Sequence, residues 1–490
     1  MRLDSIRSPS HFLRERAGPI SCESVLKDYE GWWEREGRAI SATVDRAGTP
    51  WVRMFDAAGR RVDEILYPAD YRRMLLEGYR AGVIWRAFKE NSLLPSLSLL
   101  YVTSFYDCGV TCPYGVSLST AVPLSKCGAP AVRERFLPKL LREDEEVWQG
   151  ATWMTEIKGG SDLGAGVETT AVPDGGAWRL TGDKYFSSNA GAELAVVAAR
   201  PKGAPPGVRG LALFLVPRRR ENGELNYTIR RLKDKIATRS VPTGEVELRA
   251  SEGYLLGGPE EGIYLILEVL NISRVANSFG SVALAQRAIA DAAQYAETRV
   301  AFGRPVIEHP MLQRQFEERI ENLRAAFALA WEAGFLLNEV WRERRPYSDR
   351  YHLFRLVAHL AKYWTAEFAV QTAKWCMEVH GGVGVLEEFG AERLLREAMI
   401  LAIWEGTAHR QLLDALEVIE RKQAHRLLLR HLESGEPIPE LRELGAAIDA
   451  HLKLPPEQRE REWEPLGARL ASSVAGALSL REQASSKSTR

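Results

Sequence analysis

In a chain of 490 residues, one carboxylate is set apart by its neighbours. Glu405, in "LAIWEGTAHRQ" (401–411), stands between the indole of Trp404 and a Gly-Thr step. Both flanks read as helix. Gly406 disfavours helix, and Thr407 is a good N-cap for a new run starting at Ala408. Such a helix points free N–H groups and a partial positive charge back toward Glu405 and any nearby anion. A carboxylate wedged beside an indole loses solvent, which raises its pKa and makes it usable as a general base. The plain alternative is an acid that only complements a helix start.

Four further stretches carry groups suited to holding a flat, phosphorylated ligand. In "WMTEIKGGSDLGAG" (153–166), Thr155 and Ser161 offer hydroxyls. Gly159 and Gly160 let backbone N–H groups approach phosphate oxygens. A Gly-rich turn is the bland reading. "KYFSSNAG" (184–191) places Phe186 and Ser188 near a strand end, where Phe186 either covers a planar ring or joins the core. In "ETRVAFGRPVIEHP" (297–310), Arg299 and Phe302 lie three apart before Gly303 and Pro305 break the pattern. That pairing suits a charged, flat ligand, or Arg299 simply complements a helix end. "EVHGGVGV" (378–385) follows helix rather than strand, so it is no Rossmann fingerprint; Gly382 allows close backbone approach.

The elements that must position these groups follow from periodicity. Residues 1–150 are mostly helical, with apolar residues at three- and four-residue spacing in "YRRMLLEGYRAGVI" and "VRERFLPKLLRE". Within them, "WVRMFDAAGRRVDEILYP" reads as a small hairpin or irregular insert. Residues 151–258 change character: "AWRLTGDKYFSS", "LAVVAARP", "GLALFLVP" and "GEVELRA" read as strands and "PDGG" as a turn, enough for a small barrel or sandwich. Residues 259–420 return to long helices. Leu312, Phe316, Ile320, Leu323, Phe327 and Trp331 form one stripe, as a helix bundle requires. Residues 421–490 are expected to be less regular, with two or three helices punctuated by "GEPIPE" and "KLPPEQ" and a frayed end at "ASSKSTR". The fold class is α+β, in the order α, β, α-bundle, helical appendage.

Composition excludes several functions. Apolar residues at 45% and charged residues at 27% fit a globular enzyme. Lys plus Arg equals Asp plus Glu, 65 each, which argues against a chain dominated by phosphate-backbone binding. No apolar run is long enough for a membrane helix, and the N-terminus lacks the pattern of a secretory signal. Cys22, Cys108, Cys112, Cys127 and Cys376 include no Cys-x-x-Cys pair, so neither a disulfide framework nor a zinc site is expected, and a cytoplasmic location is. His-Glu-x-x-His and Walker A motifs are absent.

Taken in order, "MTEIKGGSD", "DKYFSSNAG", "SRVANSFGSVALAQRAI", "TRVAFGRPVIEHP", "HGGVG" and "IWEGTAHRQ" resemble the acyl-CoA dehydrogenase superfamily over roughly residues 80–420. The resemblance implies an N-terminal α domain, a middle β-barrel domain, a C-terminal four-helix bundle with a helical extension, and FAD. It implies a homotetramer, an acyl-CoA thioester substrate and an electron acceptor such as an electron-transfer flavoprotein. Glu405 would be the base and Arg274 would lie on the substrate side. Thr155 would contact the flavin ring, Gly160 and Ser161 a cofactor phosphate, and Phe186 and Ser188 would line the ring. Arg299 and Phe302 would reach the FAD of an adjacent subunit, and Glu378 and Gly382 its adenosine side. Trp404, Thr407 and His409 would finish the site. Some relatives carry the base just before the bundle arginine; here that residue is Ser273, which leaves Glu405. Three positions depart from the usual pattern: Pro310 and Glu378 where Gln is usual, and His409 where Gln or Asn is usual.

"MFDAAGRRVDEILYPADYR" (54–72) and "RLKDKIATRS" are similar to the alkylation-response, AidB-like, branch. There dehydrogenation is weak and a basic C-terminal surface is implicated in DNA binding. Residues 421–490 hold 12 Lys/Arg and 10 Asp/Glu, a net of 12 − 10 = +2. That gives little electrostatic drive toward a duplex, so DNA is the less favoured partner.

Overall fold

The computed structural model describes residues 4–433 and 439–488, with side chains as far as Glu482 apart from that of Pro259. The described chain packs as two compact units. One comprises Gly31–Ser92 and Asp107–Ser273; the other comprises Met1–Glu30, Leu93–Tyr106 and Arg274–Arg490.

The first unit is built around a barrel. Its strands are β1 (Trp51–Phe55), β2 (Arg61–Leu66), β3 (Gly150–Trp153), β4 (Thr170–Asp174), β5 (Ala177–Ser188), β6 (Leu194–Pro201), β7 (Ala212–Pro217), β8 (Thr228–Leu232) and β9 (Thr243–Leu256). β6 pairs in parallel with β3 and β4 and antiparallel with β7; β7 pairs with β9, β9 with β5, and β5 with β4. The path β6–β4–β5–β9–β7 therefore returns to its start, which removes the open edges of a flat sheet. β5 and β6 have the bounds read from their alternating and continuous apolar patterns. β3, β4 and β8 are short and fall outside the stretches that read as strands; Pro173 and Asp174, expected in the "PDGG" turn, end β4. The barrel core holds Trp153, Leu180, Val197, Phe214, Tyr227, Val246 and Leu248.

β1 and β2 form an antiparallel pair of their own, closed by a turn in which Asp56 Oδ1 accepts from the N–H groups of Ala58 and Arg60. The expected insert is thus a hairpin. Buried Asp63 ties it to the barrel by accepting from Ile229 N at 2.8 Å.

The second unit is helical. Helices Gly262–Thr298, Pro310–Val340 and Asp349–His380, with the broken pair Ala391–Ile403 and Ala408–Lys422, supply the bundle; the first of these helices begins in the other unit. Phe316, Ile320, Leu323 and Phe327 are buried as their stripe requires, while Leu312 and Trp331 are half-buried. Residues 1–150, read as one helical domain, divide between the two units. Helix Leu94–Tyr106 belongs with the bundle because it is apolar all round, with every residue after Leu94 buried and Tyr101 donating to Gln286 at 2.6 Å.

The appendage is more regular than its composition suggests, with helices Ala424–Leu432, Pro439–His451, Pro456–Arg461 and Trp463–Ser488. Small residues disguise the last of these. Leu470, Ala471, Val474, Ala475 and Leu478 are nonetheless buried at helical spacing, and Trp463 Nε1 donates to Leu412 O at 2.8 Å. Most of the "GEPIPE" break, and the final Thr489 and Arg490, lie outside the described residues.

Candidate active site

In the bundle unit, helix Ala391–Ile403 stops at Trp404 and helix Ala408–Lys422 begins four residues later. Between them Glu405 and Gly406 take φ of +59° and +105°. A left-handed conformation is costly for a non-glycine residue, and it persists only where the surroundings over-determine it. Here they do. Arg274 Nε donates to Glu405 O at 3.1 Å, and Gln411 Nε2 donates to the same oxygen at 2.9 Å. Lys362 Nζ donates to Ala402 O at 3.0 Å and to Gly406 O at 2.6 Å. Asn277 donates to Leu401 O and accepts from Trp404 Nε1. Thr407 occupies the N-cap position, but its side chain makes no capping bond; the turn is held from neighbouring helices instead.

The carboxylate itself is treated differently. No N–H or O–H among the described residues donates to it. Burial pushes the Glu405 pKa above the ordinary carboxylate range, opposed by the cations Arg274 and Lys362. Arg274 is almost wholly buried and pairs with Asp414 at 3.0 Å. His359 hydrogen-bonds Gln411 at 3.0 Å, and burial holds its pKa down at about 3, so it is neutral there. Arg274, expected on the substrate side, thus gives its Nε to the turn. Ser273 is no rival base: its hydroxyl is buried against Ser119 Oγ at 3.2 Å.

In the barrel unit, the loop after β3 turns back on itself. A Cβ on Gly160 would meet Thr155 Oγ1 at 2.4 Å, so only glycine fits. The loop is anchored from behind by Glu156, which is almost fully buried. Its carboxylate accepts from Glu168 N at 2.8 Å, Thr169 N at 3.1 Å, Thr169 Oγ1 at 2.6 Å and Lys184 Nζ at 2.6 Å. Lys184, fully buried on β5, also donates to Ala198 O at 2.7 Å. In front of this knot Ser161 is exposed, Thr155 is half-buried and Phe186 is 52% exposed. Ser188 Oγ lies 3.2 Å from Thr243 Oγ1, and its carbonyl accepts from Trp153 Nε1. Phe186 is therefore not a core residue in this chain.

The other expected residues stand on the bundle unit's surface. Phe302 is 96% exposed at the tip of a two-residue turn, in the left-handed region beside Gly303, and Arg299 is exposed just before it. Glu378 pairs with Lys374, and Glu378, Gly382, Thr407 and His409 are all exposed. Pro310 opens helix Pro310–Val340, where its missing N–H has no intrahelical partner to lose. Sequence reading passed over Glu156, Lys184, Lys362 and Gln411. Glu156, Lys184 and Gln411 lie inside the quoted motifs, and Lys362 is the one charged side chain in the run "LVAHLAKYW", which was a usable signal.

Comparison with known proteins places these two halves. The solved structure of Bd2924 in its apo form matches with a TM-score of 0.87 and 30% identity, over 97% of this chain and 96% of that one. The acyl-CoA dehydrogenase middle domain matches residues 151–251, the acyl-CoA dehydrogenase C-terminal domain residues 260–419, and the adaptive response protein AidB N-terminal domain residues 24–146. This chain belongs to the acyl-CoA dehydrogenase family. Acyl-CoA dehydrogenase family member 11 of Caenorhabditis elegans is 31% identical over 79% of this chain, which spans 66% of that relative's length. The putative acyl-CoA dehydrogenase AidB of Escherichia coli (strain K12) is 29% identical over 82% of this chain and 77% of that protein. The structure of Caenorhabditis elegans ACDH-11 in complex with C11-CoA matches with a TM-score of 0.82 at 26% identity, over 96% of this chain and 85% of that one. The family's α, β, α-bundle order is the order observed here, and the AidB-type N-terminal domain includes the β1–β2 hairpin.

Proposed function

We propose that this acyl-CoA dehydrogenase family member is an FAD-dependent oxidoreductase that dehydrogenates an acyl-CoA thioester, with Glu405 as the base that removes the α-proton. The observation that carries this reading is the Glu405 turn: a carboxylate that receives no hydrogen bond from the described residues, its pKa raised by burial, on a backbone that four side chains hold in a left-handed conformation. A thioester α-proton is weakly acidic, so the base must be strong and fixed before the substrate arrives. Burial makes the neutral acid tolerable once Glu405 Oε has taken the proton. Arg274 and Lys362 favour the carboxylate before that.

The residues on the barrel unit fit a flavin. Hydroxyls at Thr155, Ser161 and Ser188, a glycine at 160 packed against Thr155 and exposed, and an exposed Phe186 are groups that suit a planar heterocycle with a pyrophosphate tail. Thr155, Phe186 and Ser188 would hold the ring, and Gly160 and Ser161 the phosphates. Bound FAD supplies the acceptor for the β-hydride, at N5, which no side chain offers. Arg299, Phe302, Glu378 and Gly382 would complete the cofactor site of a neighbouring copy in a homotetramer; Trp404, Thr407 and His409 would close it. An electron-transfer flavoprotein as acceptor and a cytoplasmic location belong to the same reading. The C11-CoA carried by ACDH-11 supports a CoA thioester as substrate.

Anaerobic addition of a panel of acyl-CoAs to the yellow holoprotein tests this: one of them should bleach the flavin band. A second reading, an AidB-like flavoprotein of the DNA-alkylation response, is favoured by the AidB-type N-terminal domain and disfavoured by the near-neutral appendage. Holoprotein that ignores every thioester yet shifts duplex DNA at moderate salt would select it.

A further inference from the structure

We propose that Lys362 is the positioning residue for the base: its ammonium clamps the backbone on both sides of Glu405 and adds to Arg274 a second positive charge that favours the Glu405 carboxylate. This rests on the reading of Glu405 as the base. Lys362 lies on helix Asp349–His380 and is 1% exposed. Its Nζ reaches Ala402 O, three residues before Glu405, and Gly406 O, one residue after it. Two bonds thus bracket the left-handed step. An isolated ammonium is among the most costly groups to bury, and buried lysines ordinarily stand against a carboxylate. Among the described residues Lys362 makes no carboxylate ion pair. Contrast Lys184, which has Glu156 at 2.6 Å.

The charged groups that face Lys362 come from each element packed around it. Glu405 on the turn favours its charged form, as does Glu367 on its own helix, and Arg274 on helix Gly262–Thr298 opposes it. Arg274 is itself paired with Asp414 on helix Ala408–Lys422, which Arg410 also pairs, and His359 is neutral. Burial outweighs the attractions and brings the Lys362 pKa down to about 7. The carboxylate whose field most favours the ammonium is therefore the base itself. A lysine required only to hold carbonyls could be replaced by a neutral donor; one required to bias the base could not.

The test uses holoprotein carrying Lys362→Gln, Lys362→Met or Lys362→Arg. Gln keeps two N–H donors without the charge, Met keeps neither, and Arg keeps the charge. The readout is the rate of anaerobic flavin reduction by a saturating acyl-CoA across pH, alongside flavin content and melting temperature. Gln and Met should slow reduction at neutral pH at least tenfold with little change in the half-saturating thioester concentration. Their half-maximal pH should move upward by about one unit, because a lost cation raises the carboxyl pKa. Arg should restore part of both. Lower melting temperature or flavin content with an unmoved pH midpoint would make Lys362 purely structural and overturn the proposal, as would native rates in Gln. If wild-type protein is reduced by no thioester, the dehydrogenase reading fails, and a stability cycle of Lys362→Met against Glu405→Gln decides the coupling separately. Lys362→Met should cost markedly less stability in the Glu405→Gln background than in wild type; additive effects would overturn it.

Discussion

Two carboxylates, Glu156 buried in the barrel unit and Glu405 half-buried in the bundle unit, are handled in opposite ways. Glu156 receives four donors, and although burial pushes its pKa up, Lys184 and the other donors outweigh it and hold the group below its ordinary range. Among the described residues Glu405 receives none on its carboxylate; the donors around it go to main-chain oxygens at Ala402, Glu405 and Gly406, and burial wins. A carboxylate that accepts four hydrogen bonds, three on Oε1 and one on Oε2, is a structural anchor, because both of its oxygens are committed to the fold. A carboxylate with a pinned backbone and free oxygens is available to take a proton. The difference separates a carboxylate committed to the fold from one whose oxygens are open, without reference to any ligand.

The sharpest way to break the contrast is Glu405→Gln. It keeps size and backbone, so the protein should fold and retain flavin. Loss of a general base should slow reduction by acyl-CoA on the order of 10³-fold; a native rate would put the base elsewhere. The stability sign is also fixed. A carboxyl whose folded pKa is raised binds its proton more tightly when folded, so its contribution falls as pH rises from the unfolded value of about 4.3 through the folded one. Glu405→Gln should therefore melt at or above the wild-type temperature at pH 7, measured by calorimetry.

Glu156 carries the opposite sign. Its folded pKa is depressed, so its contribution is complete above the unfolded value of about 4.3 and is lost as pH falls below that. Lys184→Met leaves the Glu156 charge buried and unpaired, and should cost about 3 kcal/mol, read in denaturant titrations at pH 7. Adding Glu156→Gln should recover part of the loss. Losses of the two single variants that add up in the double variant would show that the pair is not coupled.

Legibility in the sequence followed the same division. Strands β5 and β6 were readable because alternating and continuous apolar runs bounded by Gly, Pro or Asp leave few alternatives. β3, four residues long, carries too little pattern. Glu405 was readable because an acid, a glycine and an N-cap residue interrupt strong helical periodicity. The side chains that hold it were not. Asn277, Lys362 and Gln411 lie on three helices, separated by tens of residues, and their convergence is a tertiary fact with no local signature. Thr407 shows the converse: its type and position signalled a side-chain cap, and its side chain makes no capping bond; the turn is held instead through its carbonyl oxygens, by Arg274 and Lys362. The last helix was obscured by Ala and Ser, whose small side chains mute the apolar stripe without removing it.

Gly406→Ala tests the pinned backbone without touching a charge. At φ +105° a Cβ is strained and would lie 2.6 Å from Gln411 Nε2, itself a donor to Glu405 O. The expected cost is about 1–2 kcal/mol of stability, with a larger proportional loss in reduction rate than in flavin content. Equal losses of both would mean that the turn serves the fold rather than the base.

The smallest effect is expected on the barrel unit's exposed face. Ser161 is exposed and is not among the donors to Glu156, so Ser161→Ala should leave the melting temperature of the flavin-free protein unchanged. Losing one hydroxyl contact to a phosphate should weaken FAD binding by about 1–1.5 kcal/mol, on the order of tenfold in Kd by fluorescence titration. The Glu156–Lys184 variants should lower affinity only as far as they loosen the loop, and so in proportion to lost stability. Affinity that follows stability in Ser161→Ala as well would merge the loop's front with its anchor, and the division between groups that hold the fold and groups that hold the ligand would not stand in this unit.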